Sequence, residues 1–285
     1  MKRIGYPSLA FLATAVLAMG LASAASAVTP IPNGAYFNLN TWGTCPGSPV
    51  TVTNNYPSSV AIEHSFLICN GWAELHTWRF SDDGGVNPAY FPNNSDFSFS
   101  STVTLTGSNA NGGETGINIA PWWDGPTRPW GGAYPFDGGR VNCRVPDGEI
   151  ACFGGRMPFY NFTAAEGIHF AMNTPISITM TYHSNGLSSV SPGTVKYDLV
   201  WLGVPYTSGV LSMDEGNVSE GPTWGNWGIL KDATAGGFFQ ARMDPASFPA
   251  DPAHLKVDFT NIQFSTSQVV PAKATTWGQL KTLYR

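Results

Sequence analysis

The stretch DFSFSSTVTLTGSNANGGETGINIAPWWD, Asp96 to Asp124, decides the fold class. Phe97, Phe99, Val103 and Leu105 alternate with Ser and Thr, the period of two of a half-buried strand. After a Gly/Asn loop, Thr115, Ile117 and Ile119 alternate with Glu114, Gly116 and Asn118, which predicts a second strand and a strand pair. The pleat sets Glu114, Asn118 and Trp122 on one face and the isoleucines on the core-facing one. A carboxylate, an amide and an indole in a row make a candidate sugar-binding surface. Glu114 is also a candidate catalytic acid.

Outward from this stretch the strand signals continue. Ile176, Ile178, Met180 and Tyr182 share one face, Val195, Tyr197, Leu199 and Trp201 another, and Ser191-Pro192-Gly193 is the turn between them. AGGFFQARM (235–243) and HLKVDFTNIQFS (254–265) read as a closing pair, with a bulge at Thr260-Asn261 where the alternation changes phase. Neither a period of 3.6 nor a fixed repeat occurs between Val28 and Ser265. The chain has 32 Gly and 22 Pro and is only 12% charged, a composition of many turns and few surface charges. The predicted class is all-β, an antiparallel two-sheet β-sandwich in which residues 28–265 form a single domain.

At the N-terminus, Lys2 and Arg3 precede an apolar run from Leu9 to Leu21 and the small-residue site Ala25-Ser26-Ala27. This is the pattern of a signal peptide cleaved after Ala27, with export to an extracellular or cell-surface location. No later segment is apolar enough to span a bilayer. Without Lys2 and Arg3, 12 basic residues (14 less 2) face 19 acidic ones, a net charge of −7. There is no basic patch to release counterions, so nucleic acid is not an expected partner.

Four cysteines fit an oxidising compartment. In RVNCRVPDGEIACFGG a two-residue Asp147-Gly148 turn would oppose Cys143 and Cys152 as a cross-strand disulfide. Pro146 lacks the N–H beside that turn, so a four-residue loop with the same cysteines opposed is the alternative. Cys45 and Cys69 then pair by default, each bridge contributing roughly 2.5–3.5 kcal/mol. Without a CxxC spacing, metal ligation by these cysteines is the weaker reading.

The ETGINIAPWW strand, the hairpin ending FGGRMPFYNF, the strand ISITMTY, then GGFFQ and VDFTNIQF follow one another in an order that resembles the concanavalin A-like lectin/glucanase jelly rolls. The chain is similar in particular to bacterial secreted proteins of that type. The resemblance covers roughly Tyr36 to Ser265. It implies a sandwich with one concave sheet, on which many relatives bind or cleave polysaccharide. The ExDxxE glutamate pair of the retaining glucanases is absent here, so the resemblance carries no catalytic pair over.

Other candidates are more local. Glu74, His76 and Trp78 in AELHTWRF fall on one strand face, either as an acid/base site or as a polar edge beside a core tryptophan. Glu63 and His64 point to opposite faces if that segment is extended. Asp214, Glu215 and Glu220 lie near Trp224 and Trp227 in a loop that could hold structural calcium but is more simply solvated, and Ser81–Asn87 reads as a turn first and a cation loop second. No cofactor is implied. His169, His183 and His254 are scattered and suggest no zinc set, and neither a GxSxG elbow nor a phosphate loop is present.

The Pro/Gly-rich loop PWWDGPTRPWGGAYPFDGG carries Trp122, Trp123, Trp130, Tyr134 and Phe136, rings suited to stacking on sugar faces. Asp124, Arg128 and Asp137 are there to orient a ligand, and an aromatic plug over one end of the sandwich is the alternative. Residues 266–285 read as a linker and a short basic tail with Trp277, Leu280 and Tyr284, either a sorting or attachment signal or a docked helix. The expected function is non-catalytic binding of a polysaccharide or cell-surface glycan. A glycoside hydrolase or polysaccharide lyase of the same fold, and a structural envelope protein, are the alternatives.

Overall fold

The computed structural model describes residues 29–42, 49–64, 71–107, 112–119, 139–145, 147–154, 159–213, 227–229, 233–243 and 254–266. The signal peptide, Cys45 and Cys69, the aromatic loop from Trp122 to Asp137, the acidic loop from Asp214 to Glu220 and the tail all lie outside these residues. Among the described residues, no helix is long and apolar enough to cross a membrane.

Two seven-stranded antiparallel sheets face each other, as the sequence pattern and the jelly-roll resemblance implied. The first runs β1 (Gly34–Trp42), β4 (Gly71–Ser81), β13 (Ala235–Met243), β6 (Gly112–Ile119), β7 (Gly139–Val145), β8 (Ile150–Phe153), β9 (Tyr160–Asn161). The second runs β12 (Val204–Ser212), β11 (Thr194–Trp201), β10 (Ile176–His183), β5 (Phe97–Gly107), β14 (Leu255–Thr266), β3 (Ser59–His64), β2 (Val50–Asn55). A single turn of helix, α1 (Phe162–Glu166), is capped by the Asn161 side chain at its start and by Gly167 at its end.

The predicted alternation holds on β5, where Phe97, Phe99, Val103 and Leu105 are buried and each intervening hydroxyl from Ser98 to Thr104, Ser101 excepted, is partly exposed. Two expected pairings do not form. β5 and β6 belong to different sheets, as do β13 and β14, so each connection crosses the sandwich. Inward rings of the two sheets meet across the interior. Trp78 on β4 meets Phe259 on β14 edge to face at 5.7 Å, and Phe80 on β4 meets Phe99 on β5 at 5.2 Å. β5 instead pairs with β10 and β14, and β13 with β4 and β6, so the backbone groups of each are satisfied within its own sheet. The bulge at Thr260-Asn261 is present, with Asn261 at φ 53°.

The Cys143–Cys152 reading needs correction. Cys143 stands opposite Ile150 and Cys152 opposite Val141, and both are buried free thiols. The turn is longer than two residues, because the Arg144 N–H donates to the Glu149 carbonyl and closes a loop over residues 145–148. Gly148 takes the left-handed conformation at φ 77°, and the Arg144 guanidinium reaches both Asp147 and Glu149. A slip of two residues leaves both cysteines facing the core but no longer opposed. Burial pushes both thiols up, away from the reactive thiolate. Neither should be alkylated in the native protein, and both should be alkylated on unfolding without reductant. A Cys143–Cys152 cross-linked peptide in a non-reducing digest would contradict this register.

Candidate functional site

β4 decides which face can meet a ligand. Its apolar anchors Trp78 and Phe80 are fully buried between the sheets, which turns His76 inward as well. His76 and Trp78 therefore share a face, as expected, but it is the interior one, and His76 belongs to no surface acid/base site. The Glu74 side chain lies outside the described residues. His76 instead meets His64, reaching across from β3, with Nε2 to Nε2 at 2.5 Å and Phe239 packed against both rings. Desolvation lowers His64 to about 4 and, with the neighbouring His64 adding to it, His76 to about 3. Glu63 points the other way and pairs with His254 at 2.7 Å.

The opposite parity of β4 gives Leu75, Thr77 and Arg79 to the outer face of the first sheet. Register extends these into transverse rows. In the first row, Tyr36 on β1, Arg79 on β4, Gly236 on β13, Asn118 on β6 and Arg140 on β7 are successive partners. The second holds Asn38, Thr77, Phe238, Gly116, Asn142 and Ala151. The third holds Leu75, Gln240, Glu114 and Arg144. Glu114 and Asn118 thus lie on one face opposite Ile117 and Ile119, as the alternation predicted.

These rows form a floor and a rim. Thr77, Arg79, Asn118 and Phe238 are fully buried and Asn142 and Gln240 nearly so, while Tyr36, Asn38, Glu114, Arg140 and Arg144 are partly exposed. Gly236 makes the first row possible. Arg79 and Asn118 are two strands apart, about 10 Å, and the arginine crosses the side-chain-free position to donate from Nη1 to Asn118 Oδ1 at 2.6 Å. A Cβ at 236 would overlap the Trp78 carbonyl oxygen. Gly116, at φ 155°, likewise presses against the Val141 carbonyl and leaves bare backbone between Phe238 and Asn142. Asn118 Nδ2 is buried and has no hydrogen-bond partner among the described residues. Arg140 lies over the Phe238 ring, 5.4 Å from its centroid.

Glu114 sits at the end of an ion-paired chain. Arg144 is 3.9 Å from Glu114, 3.1 Å from Glu149 and 2.5 Å from Asp147. The two glutamates flank a guanidinium, and the Glu114 side chain is only 13% exposed.

Elsewhere, the Ser81–Asn87 segment is a turn built on Asp83, whose oxygens accept from the Val86 and Asn87 N–H groups, the Asn87 amide and Ser81. The Asn87 backbone bond and its companions lower Asp83 to about 2. Its oxygens are engaged by donors in the turn. Among the described residues no group of three or more His, Cys, Asp or Glu is placed to hold a metal.

Sequence reading singled out Glu114 and Asn118 and missed Thr77, Arg79, Phe238, Gln240, Arg140 and Asn142. The signal was present in LHTWRF, since Trp78 and Phe80 mark the inward parity and leave Arg79 outward.

No family profile matches the sequence, and neither does any curated protein. Solved structures to which the chain is similar include a sialidase (TM-score 0.41, 9% identity, 84% of this chain and 19% of that one). They also include the lectin UEA-II complexed with galactose (0.40, 8%, 81% and 95%) and an alginate lyase of polysaccharide lyase family 7 (0.39, 9%, 82% and 95%). The chain spans about a fifth of the sialidase's length. Identity at this level assigns no residue a role.

Proposed function

We propose that this is a secreted, non-catalytic glycan-binding protein that holds its ligand on the outer face of the first sheet. The observation that supports it is the buried polar floor between Arg79 and Arg140, with the unpartnered Asn118 Nδ2, beneath a partly exposed rim. Buried amides without partners are costly, of order 1–3 kcal/mol each, so a ligand that supplies acceptors gains what the free protein lacks. Bare backbone at Gly236 lets the Arg79 side chain cross to Asn118 and fixes the floor of this face. The aromatic residues from Trp122 to Tyr134, which follow β6 in the chain, supply stacking partners in this reading.

Asn118→Ala should weaken binding to polysaccharide about threefold to tenfold, the worth of one ligand hydrogen bond. Thr179→Ala, on the other sheet, should leave it unchanged. Pull-down or calorimetry against matrix polysaccharides reads both, and equal binding by wild type and Asn118→Ala would sink the assignment. Glu114 is tied through Arg144 to Glu149, which favours binding over a free acid/base pair. Release of new sugar ends by the wild type, lost in Glu114→Gln, would establish the hydrolase or lyase alternative. Export is part of the proposal, with a mature N-terminus at Val28. Retention at the cell surface that depends on residues 266–285 would favour the structural envelope alternative.

A further inference from the structure

We infer that two copies of this chain associate through β2, pairing antiparallel along Val50–Asn55 so that their second sheets join into one. The interface stands apart from the glycan face and does not depend on that reading.

Four strands end the two sheets, β1 and β9 on the first and β12 and β2 on the second. Three of them are blunted in ways that keep a sheet edge from pairing with another chain. β1 is irregular between Asn38 and Trp42. β9 is two residues long and runs straight into α1. β12 carries Pro205 and a register break opposite Lys196 and Asp198, with Gly209 at φ 68°. β2 has none of these features. Its sequence VTVTNN contains no charge, proline or glycine, and its register with β3 runs unbroken from Val50 to Asn55. Every residue from Thr51 to Asn55 is exposed, and successive side chains point to opposite faces, so the strand is open on both sides. Among the described residues β3 is its one strand partner, and alternate residues turn their N–H and C=O groups away from β3.

A second copy is the occupant this edge fits. Antiparallel pairing about a two-fold axis sets the same six residues against themselves. An uncharged, β-branched run meets its own copy without repulsion, whereas a chain of net charge −5 repels its like elsewhere. The charges nearest the edge are paired within each copy, Glu63 with His254 at 2.7 Å and Asp258 with Lys256 at 2.7 Å. A six-residue ladder is short for a permanent interface, so the pair is reversible and concentration-dependent. The axis stands normal to the joined sheet, which leaves both first sheets facing the same way.

The test is sedimentation velocity of the full mature chain from micromolar to near-millimolar concentration, at low and high salt. The expected result is a shift from the mass of one chain to that of two, strengthened by salt as the net charge is screened. Val52→Lys/Thr53→Lys, which puts a charge on each face of the strand, should weaken association at least tenfold. Thr207→Lys/Val210→Lys on the β12 edge should leave it unchanged. Hydrogen exchange of the wild type reads the same interface without a variant, through slowing in Val50–Asn55 and not in Val204–Ser212 as concentration rises. A single-chain mass throughout the range would overturn the proposal. Association that survives the β2 lysines, or that is lost with those on β12, would overturn it equally, and none of these results touches the glycan face.

Discussion

Between pH 6.5 and pH 4 the domain is expected to lose several kcal/mol of stability through two residues, His64 and His76. Each is fully buried, and burial lowers their proton affinities to about 4 and about 3 in the folded chain. In the unfolded chain a histidine titrates near 6.5. The unfolded state therefore takes up protons first as the pH falls. The stabilisation is complete above about 6.5 and is lost as the pH drops toward the folded values. Each tenfold loss of proton affinity on folding corresponds to about 1.4 kcal/mol, and the two imidazoles titrate as a pair because a proton on one opposes a proton on the other. The contact bridges the two sheets, so protonation places like charges across the interior beside Phe239. Chemical denaturation at pH 7.5, 6.5, 5.5 and 4.5 measures the slope. His64→Leu/His76→Leu should flatten it above pH 5, where the lowered carboxyls of Asp83, Asp96 and Asp147 do not yet titrate. An unchanged slope in the double variant would assign the acid sensitivity elsewhere.

Trp78→Ala is the second large effect, with an expected loss of about 3–5 kcal/mol for an aromatic removed from a packed core. The ring is fully buried, edge-on to Phe80 at 5.2 Å and to Phe259 at 5.7 Å, and so ties one sheet to the other. Its place depends on Gly237, where a Cβ would overlap Trp78 Nε1 and the Phe259 ring. Gly237→Ala should cost about 1–3 kcal/mol by overpacking. In Trp78→Phe, which lacks the indole nitrogen, the same alanine should cost less. Urea midpoints of the four proteins form a double-mutant cycle, and strict additivity would show that the glycine and the indole do not share that space.

Alternation was legible wherever one face is apolar. Ile117 and Ile119 gave the direction of Glu114 and Asn118, and Phe97 to Leu105 gave that of the β5 hydroxyls. Pairing was legible for β10 and β11, joined through Ser191-Pro192-Gly193, but not for β5 and β6, because a short connection such as 108–111 serves a hairpin or a crossing between sheets equally well. The choice is made by distant partners, since β5 lies between β10 and β14 and β6 between β13 and β7. The same limit governed β4. Glu74, His76 and Trp78 share a period of two with either face, and only the burial of Trp78 and Phe80 assigns His76 to the interior and Arg79 to the site. The cysteine register turned on Arg144 joining Glu149, one bond that moved Cys143 from Cys152 to Ile150.

Hydrogen exchange with and without a bound polysaccharide tests most directly where the ligand sits. Binding on the outer face of the first sheet should slow exchange in peptides covering Gly112–Ile119, Gly139–Val145 and Ala235–Met243. Peptides covering Ile176–His183 and Thr194–Trp201 on the second sheet should be unaffected. Protection confined to the second sheet, or none on either sheet under saturating ligand, would contradict the assignment of that face.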